Sequence, residues 1–312
     1  MNDSLYQLED LQTIRNLPKK SVRNETGNMT LDLMLPERSI KERLNLFFDF
    51  CDVFEEKDHP VLKANPKQFS HPLHWDDIKS VQQYRQYKDR HGIEKTFELG
   101  VIHSFCGEND DLLTHMVGNG SFDNWKGPLV RGDLFQIWWP KGINTREFIW
   151  DNHSKISNRL FEQIENGETS IVPLYKGLVE YVKELHPRFV RSSYANKNFV
   201  RHMAMAFPDI IDAESYINPG TGSFRGFQQI FAGDILISTA SLATKDDDPK
   251  LLQIKEQFKT IQDHPRNPFN RQHNINIEDK VCFFFKWLAI QAGWMKGKTK
   301  YTEEKTLETF FG

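Results

Sequence analysis

Asn218-Pro219-Gly220-Thr221-Gly222-Ser223-Phe224-Arg225-Gly226-Phe227 sets three glycines, a proline and an arginine between two apolar segments of helical period. Glycine lets the backbone take positive φ and approach a ligand, and Pro219 presets a turn. The stretch therefore predicts a tight hairpin with bare N–H groups beside a new helix N-terminus. Such a hairpin is an anion site, and phosphate is its commonest guest. Upstream, Phe199, Val200, Met203, Ala204, Phe207, Ile210 and Ile211 recur at helical intervals, so the hairpin joins helix to helix. A dinucleotide fingerprint is excluded, because Arg225 stands where the third glycine belongs and no strand precedes it. A Walker loop is excluded because no Gly-Lys-Ser/Thr follows. A glycine turn without a ligand is the alternative reading of the same residues.

Helical period governs the rest of the C-terminal half. Ile156, Leu160, Phe161 and Ile164 predict a helix that stops at Gly167, and Leu174, Leu178, Val182 and Leu185 predict the next, ended by Pro187. A short helix is expected from Phe227 to Phe231. Asp248 and Pro249 read as N-cap and first helical residue of a helix carrying Leu252, Ile254, Phe258 and Ile261. The last helix carries Ile277, Val281, Phe284, Phe285, Leu288 and Ala292. In the N-terminal half, Ile40, Leu44, Phe47, Phe48, Cys51 and Phe54 predict a helix from Pro36 to Lys57. Asp76 reads as the cap of a short helix through Tyr84 and Tyr87. Phe97 to Ile149, broken by Gly100, Gly107, Gly118, Gly120, Gly127, Gly132 and Gly142, fits short helices, loops or a small sheet. The expected class is mainly α: a polar arm over 1–35, a less regular mixed region over 36–150, and a helical domain over 151–312. A single domain over 36–312 is the alternative.

Bulk properties narrow the function classes. A chain of 312 residues has ample length for a core. Its net charge of -3 creates no global field toward nucleic acid, so any such binding needs a local basic face. Cys51, Cys106 and Cys282 are odd in number and lack CxxC spacing, which argues against a disulfide framework or thiolate zinc site. No apolar run spans a bilayer and no signal pattern opens the chain. A soluble, intracellular, cytoplasmic protein without a membrane partner is expected.

Charge is uneven around the hairpin. Lys176, Lys183, Arg188, Arg191, Lys197 and Arg201 face only Glu180 and Glu184 in that stretch. Binding of a phosphate backbone is one reading of this excess, and a solvated helix face is the other. His202, Asp209, Asp212 and Glu214 fall in thirteen residues just before the hairpin. Asp209 and Asp212 share a face if the helix persists past Pro208, where they can act as a general base or hold a cation. Pro208 favours a break, and then the acids are caps. His71, His74, Asp76 and Asp77 supply donors for a metal, but their spacing is unlike zinc patterns. No metal site and no cofactor are predicted, and a divalent cation is left open. Neither a Gly-x-Ser-x-Gly elbow nor an activating partner for a cysteine is present.

Arg201-His202-Met203-Ala204-Met205-Ala206-Phe207-Pro208-Asp209-Ile210, followed by Tyr216 through Gly226, resembles the alpha-glutamyl/putrescinyl thymine pyrophosphorylase superfamily. These are helical proteins of bacteriophage thymine-hypermodification systems. The resemblance implies a fold related to helix-hairpin-helix DNA glycosylases, acting on a thymine-derived base in DNA. It implies a reaction in which an amine from an amino acid or polyamine replaces pyrophosphate on an activated 5-hydroxymethyluracil. On that reading Gly220, Thr221, Gly222, Ser223, Arg225 and Arg201 hold the departing pyrophosphate, while Lys197 and Arg191 serve the DNA backbone. Asp209 or His202 takes the amine's proton, with Asp212 a further candidate and Asp248 the carboxylate that follows the hairpin in glycosylases. Reaching the base calls for flipping it from the duplex. The N-terminal half carries no motif of the family, and no base-excision lysine is identifiable. Two alternatives stay open: a glycosylase that removes a modified base, and a non-catalytic DNA- or partner-binding module.

Overall fold

The computed structural model describes residues 22–23, 29–30, 38–56, 59–66, 68–69, 71–74, 77–120, 124–129, 144–187, 193–231, 249–269 and 274–291. Those residues are mainly helical, as the periodicity predicts. In chain order they give the short antiparallel pair β1 (Val22–Arg23) and β2 (Met29–Thr30), then α1 (Ile40–Glu56), α2 (Pro60–Ala64), α3 (Lys79–His91), α4 (Ile93–Phe105) and α5 (Asp110–Asn119). The remaining helices are α6 (Thr145–Glu165), α7 (Ile171–Leu185), α8 (Ser193–Ala206), α9 (Thr221–Phe231), α10 (Pro249–Gln262) and α11 (Asn274–Gln291). Among the described residues no helix is long and apolar enough to cross a membrane. Apart from the β pair, the arm expected over 1–35 lies outside the described residues. The division expected near residue 150 falls inside α6. The chain instead forms two compact units, His74–Ile217 and a unit made of Met1–Leu73 with Asn218–Gly312.

In the His74–Ile217 unit, α4 packs against α3, α5, α6 and α8. Being enclosed, α4 buries Thr96, Phe97, Leu99, Gly100, Val101, Ile102, His103, Ser104 and Phe105 with no polar face to betray its period. Gly100 is a packing glycine and not a break: a Cβ there would lie 2.7 Å from the Met203 side chain of α8. Within Phe97–Ile149 the described residues thus include most of α4, all of α5 and the start of α6, with α4 and α5 joined by four residues. α6 ends as predicted, in a Schellman motif with Gly167 at φ 91, where Gly167 N–H donates to Ile164 and Glu168 N–H to Gln163. α8 buries Phe199, Val200, Met203 and Ala204. Its last carbonyls accept from Arg85 of α3, whose Nε donates to Ala206 and whose second guanidinium nitrogen donates to Met205, both at 3.2 Å. That cation matches the negative end of the helix dipole and fixes where α8 stops.

In the other unit, α11 packs against α1, α2, α9 and α10 and is buried nearly all round. Phe47, Phe50, Phe54, Phe283, Phe284 and Trp287 form its aromatic core, with Phe54 and Phe283 stacked at 5.5 Å. α1 begins at Ile40, later than Pro36, because Ser39 and Glu42 form a capping box: Ser39 N–H and O–H both donate to the Glu42 carboxylate at 2.7 Å. α10 opens at Pro249 and buries Ile254, Phe258 and Ile261, while Leu252 is exposed. Asp248 lies outside the described residues. Gly226 lets α9 meet α11, since a Cβ there would overlap the Val281 carbonyl oxygen.

Gly226→Ala is expected to destabilise its unit by about 1–3 kcal/mol, the range for an overpacked core. Gly118→Ala, in α5 where an added Cβ meets nothing within 4 Å, is expected to stabilise by about 0.5–1 kcal/mol. Urea unfolding of the two variants checks both signs.

Candidate functional site

The glycine segment is built differently from the expected hairpin. α9 starts at Thr221, so Gly222 and Gly226 lie inside a helix that was expected to begin only at Phe227. Neither adopts positive φ, and the left-handed glycines among the described residues are Gly92, Gly107, Gly120 and Gly167. Close packing explains the two helical glycines instead: a Cβ on Gly222 would lie 2.5 Å from Cys282 Sγ. The anion site exists, but the chain fills it. Gly220 N–H and Ser223 O–H both donate to Oε1 of the buried Glu278 at 2.7 Å. A carboxylate at the positive end of α9 satisfies the amide and the dipole together. The Arg225 guanidinium lies 5.6 Å over the Phe285 ring.

The acids before the segment do not share a helix face. α8 stops at Ala206, before Pro208, and Asp209 is exposed in the following turn. Asp212 is tied into a loop: its N–H donates to Thr169 at 2.9 Å and its Oδ1 accepts from Glu214 N–H at 2.9 Å. That is the turn role and not a carboxylate pair. The basic stretch is not one solvent face either. Arg201 is buried and Lys197 half-buried in α8, and Lys183 pairs with Glu180 at 2.5 Å. Arg191 lies outside the described residues. His71 sits 3.4 Å from Asp279. Among the described residues no group of three ligand side chains is arranged for a metal.

Among the described residues, the fold places the sequence candidate His202 in a cluster of titratable groups. From α8 its Nε2 lies 3.2 Å from Oε1 of Glu108, with the imidazole buried. His103 of α4 stacks beside it, ring centres 5.5 Å apart. The Tyr84 hydroxyl of α3 and His103 Nδ1 are 2.6 Å apart, and His103 Nε2 lies 3.6 Å from Asp110 Oδ1. With Nε2–H of His103 turned to the carboxylate, Tyr84 O–H donates and Nδ1 accepts. The Asp110 side chain is 69% exposed, so the cluster runs from a buried imidazole to solvent.

The connector between α4 and α5 delivers both acids. α4 ends in a Schellman motif, with Gly107 N–H donating to Ser104 and Glu108 N–H to His103 at 3.0 Å. Gly107 sits at φ 74, and Glu108 at φ 55 is the non-glycine residue with positive φ among those described. That conformation costs an L-residue about 1–2 kcal/mol. Asn109 then caps α5 by accepting from Leu112 N–H at 3.2 Å, which starts the helix at Asp110. Cys106-Gly107-Glu108-Asn109-Asp110 carries the sequence signal for this turn, a C-cap glycine followed by an N-cap asparagine.

Burial pushes the His202 imidazole below its ordinary range, Glu108 opposes that shift, and His103 and Arg201 add to it. Burial raises the Tyr84 hydroxyl well above its usual value. The His103 imidazole beside it holds the Asp110 carboxyl below its ordinary value. At neutral pH the site therefore combines a neutral imidazole with carboxylates, and Nδ1 of His202 is a buried nitrogen without a hydrogen-bond partner. A scan against protein-family models finds no matching family, and searches of curated proteins and of solved structures find no match.

Because folded His202 resists protonation, the unfolded chain binds the extra proton between the folded pKa and about 6.5. Stability is then undiminished above about 6.5 and falls as pH drops through that window. Urea titrations from pH 7.5 to 5 are expected to show this loss in the wild type, and a smaller one in His202→Asn.

Proposed function

We propose that this chain is a DNA base-modifying enzyme that replaces pyrophosphate on an activated 5-hydroxymethyluracil with an amine. The observation that carries the reading is the position of His202. It lies inside the segment 201–226 that bears the family resemblance, and it joins a buried acid–base cluster there. On this reading the mainly helical architecture is that of the helix-hairpin-helix DNA glycosylases, DNA is the partner, and an amino acid or polyamine is the co-substrate.

The chemistry asks for a base and a way to hold a leaving anion. A protonated amine gives its proton to a neutral imidazole, and its nitrogen lone pair then forms the C–N bond to the 5-methylene carbon. The C–O bond to pyrophosphate breaks, and its electron pair leaves on the pyrophosphate oxygen. Proton removal of this kind contributes about 10²–10⁴-fold to rate. Arg201, the cation next to His202 on α8, is the group assigned to the leaving charge. The amide of Gly220 is not, because Glu278 holds it.

Incubating the protein with pyrophosphorylated 5-hydroxymethyluracil DNA and a polyamine, then analysing nucleosides by mass spectrometry, tests the reading. An amine-substituted thymidine with release of pyrophosphate is expected. Free base with abasic sites would transfer the assignment to a glycosylase, and unchanged nucleosides would refute the enzyme reading.

A further inference from the structure

We propose that Glu108 and His202 form a carboxylate–imidazole dyad in which Glu108 is the positioning residue and His202 Nδ1 is the proton acceptor. The inference deepens the proposed function and rests on it for the identity of the proton donor. It does not rest on it for the state of the imidazole.

Geometry supplies the argument. A carboxylate 3.2 Å from Nε2 holds the proton on that nitrogen, which leaves the lone pair on Nδ1. Nδ1 is buried and has no hydrogen-bond partner. Buried polar atoms are ordinarily paired, so a bare nitrogen at this depth calls for an explanation. Glu108 meanwhile holds a left-handed backbone that glycine would adopt without strain. Strain of this kind persists where the surroundings enforce it, and here it aims a carboxylate at an imidazole. Among the described residues, the other charged or titratable groups facing the pair include Tyr84 of α3, His103 of α4, Asp110 of α5 and Arg201 of α8. His103 meets Tyr84 at Nδ1 and lies 3.6 Å from Asp110 at Nε2, and its ring stacks beside the dyad.

When the nucleophile's proton arrives on Nδ1, His202 becomes an imidazolium whose Nε2–H faces the Glu108 carboxylate. The ion pair offsets the burial that otherwise disfavours the charged ring. The substrate's nitrogen loses the proton and keeps its electron pair.

The test compares wild type, Glu108→Gln, Glu108→Asp and His202→Gln. Ring ¹⁵N spectra of the full chain without substrate read the tautomer. The wild type is expected to hold His202 with Nε2 protonated and Nδ1 bare, and Glu108→Gln to lose that preference. In the amine-transfer assay Glu108→Gln is expected to lower kcat by about 10²-fold with KM little changed, His202→Gln by at least as much, and Glu108→Asp to restore part of the rate. The pH profile of kcat in Glu108→Gln should shift as well, which a merely structural role would not cause. An unchanged tautomer in Glu108→Gln overturns the dyad. Wild-type kcat in a folded Glu108→Gln overturns its use in catalysis. If the wild type itself transfers no amine, the proposed reaction falls, while the ring spectra still decide the dyad.

Discussion

The contact between Glu108 and the His202 imidazole is the constraint on which the rest of the site depends. A buried imidazole is cheap to hold when neutral and costly when charged, so its chemistry is set by whatever stands at each ring nitrogen. Here one nitrogen meets a carboxylate and the other meets no hydrogen-bond partner. That arrangement requires Glu108 to turn back toward α8 from the end of α4. The Schellman motif, with Gly107 and Glu108 both left-handed, makes the turn, and Asn109 fixes the start of α5 so that Asp110 meets His103. Arg85 sets the end of α8, the helix that carries the imidazole. Four helices of one unit therefore converge on a single polar layer.

The same electrostatic rule operates at α9 with a different outcome. A helix N-terminus favours an anion, and the segment around Gly220 satisfies that preference with the chain's own Glu278. Hydrogen bonds to a charged group contribute roughly 1.5–3 kcal/mol each, so this internal cap ties α9 to α11. Gly222 and Gly226 serve that contact by letting the two helices approach. The stretch that reads most like a ligand cradle is, in its described geometry, a packing joint.

Much of the fold was legible because one face of most helices is polar. α6, α7 and α8 follow their apolar spacing, and Gly167 ends α6 as its sequence suggests. α4 escaped because it is enclosed and shows no period, and Gly100 reads as a breaker although it marks a close approach to Met203. In the site, His202 was legible through its neighbours in sequence. Glu108, His103, Asp110 and Tyr84 were not, since they come from three other segments and share no local spacing with it. Asp212 was legible as well: Pro208 favours a break over a carboxylate pair, the helix ends at Ala206, and Asp212 is bonded within a turn.

The most direct measurement of the central claim is chemical rescue. His202→Ala removes the ring and leaves space where it stood. With pyrophosphorylated 5-hydroxymethyluracil DNA and an amine, the variant is predicted to be inactive alone and to regain turnover as free imidazole is added. Wild-type turnover by His202→Ala without imidazole would contradict the account.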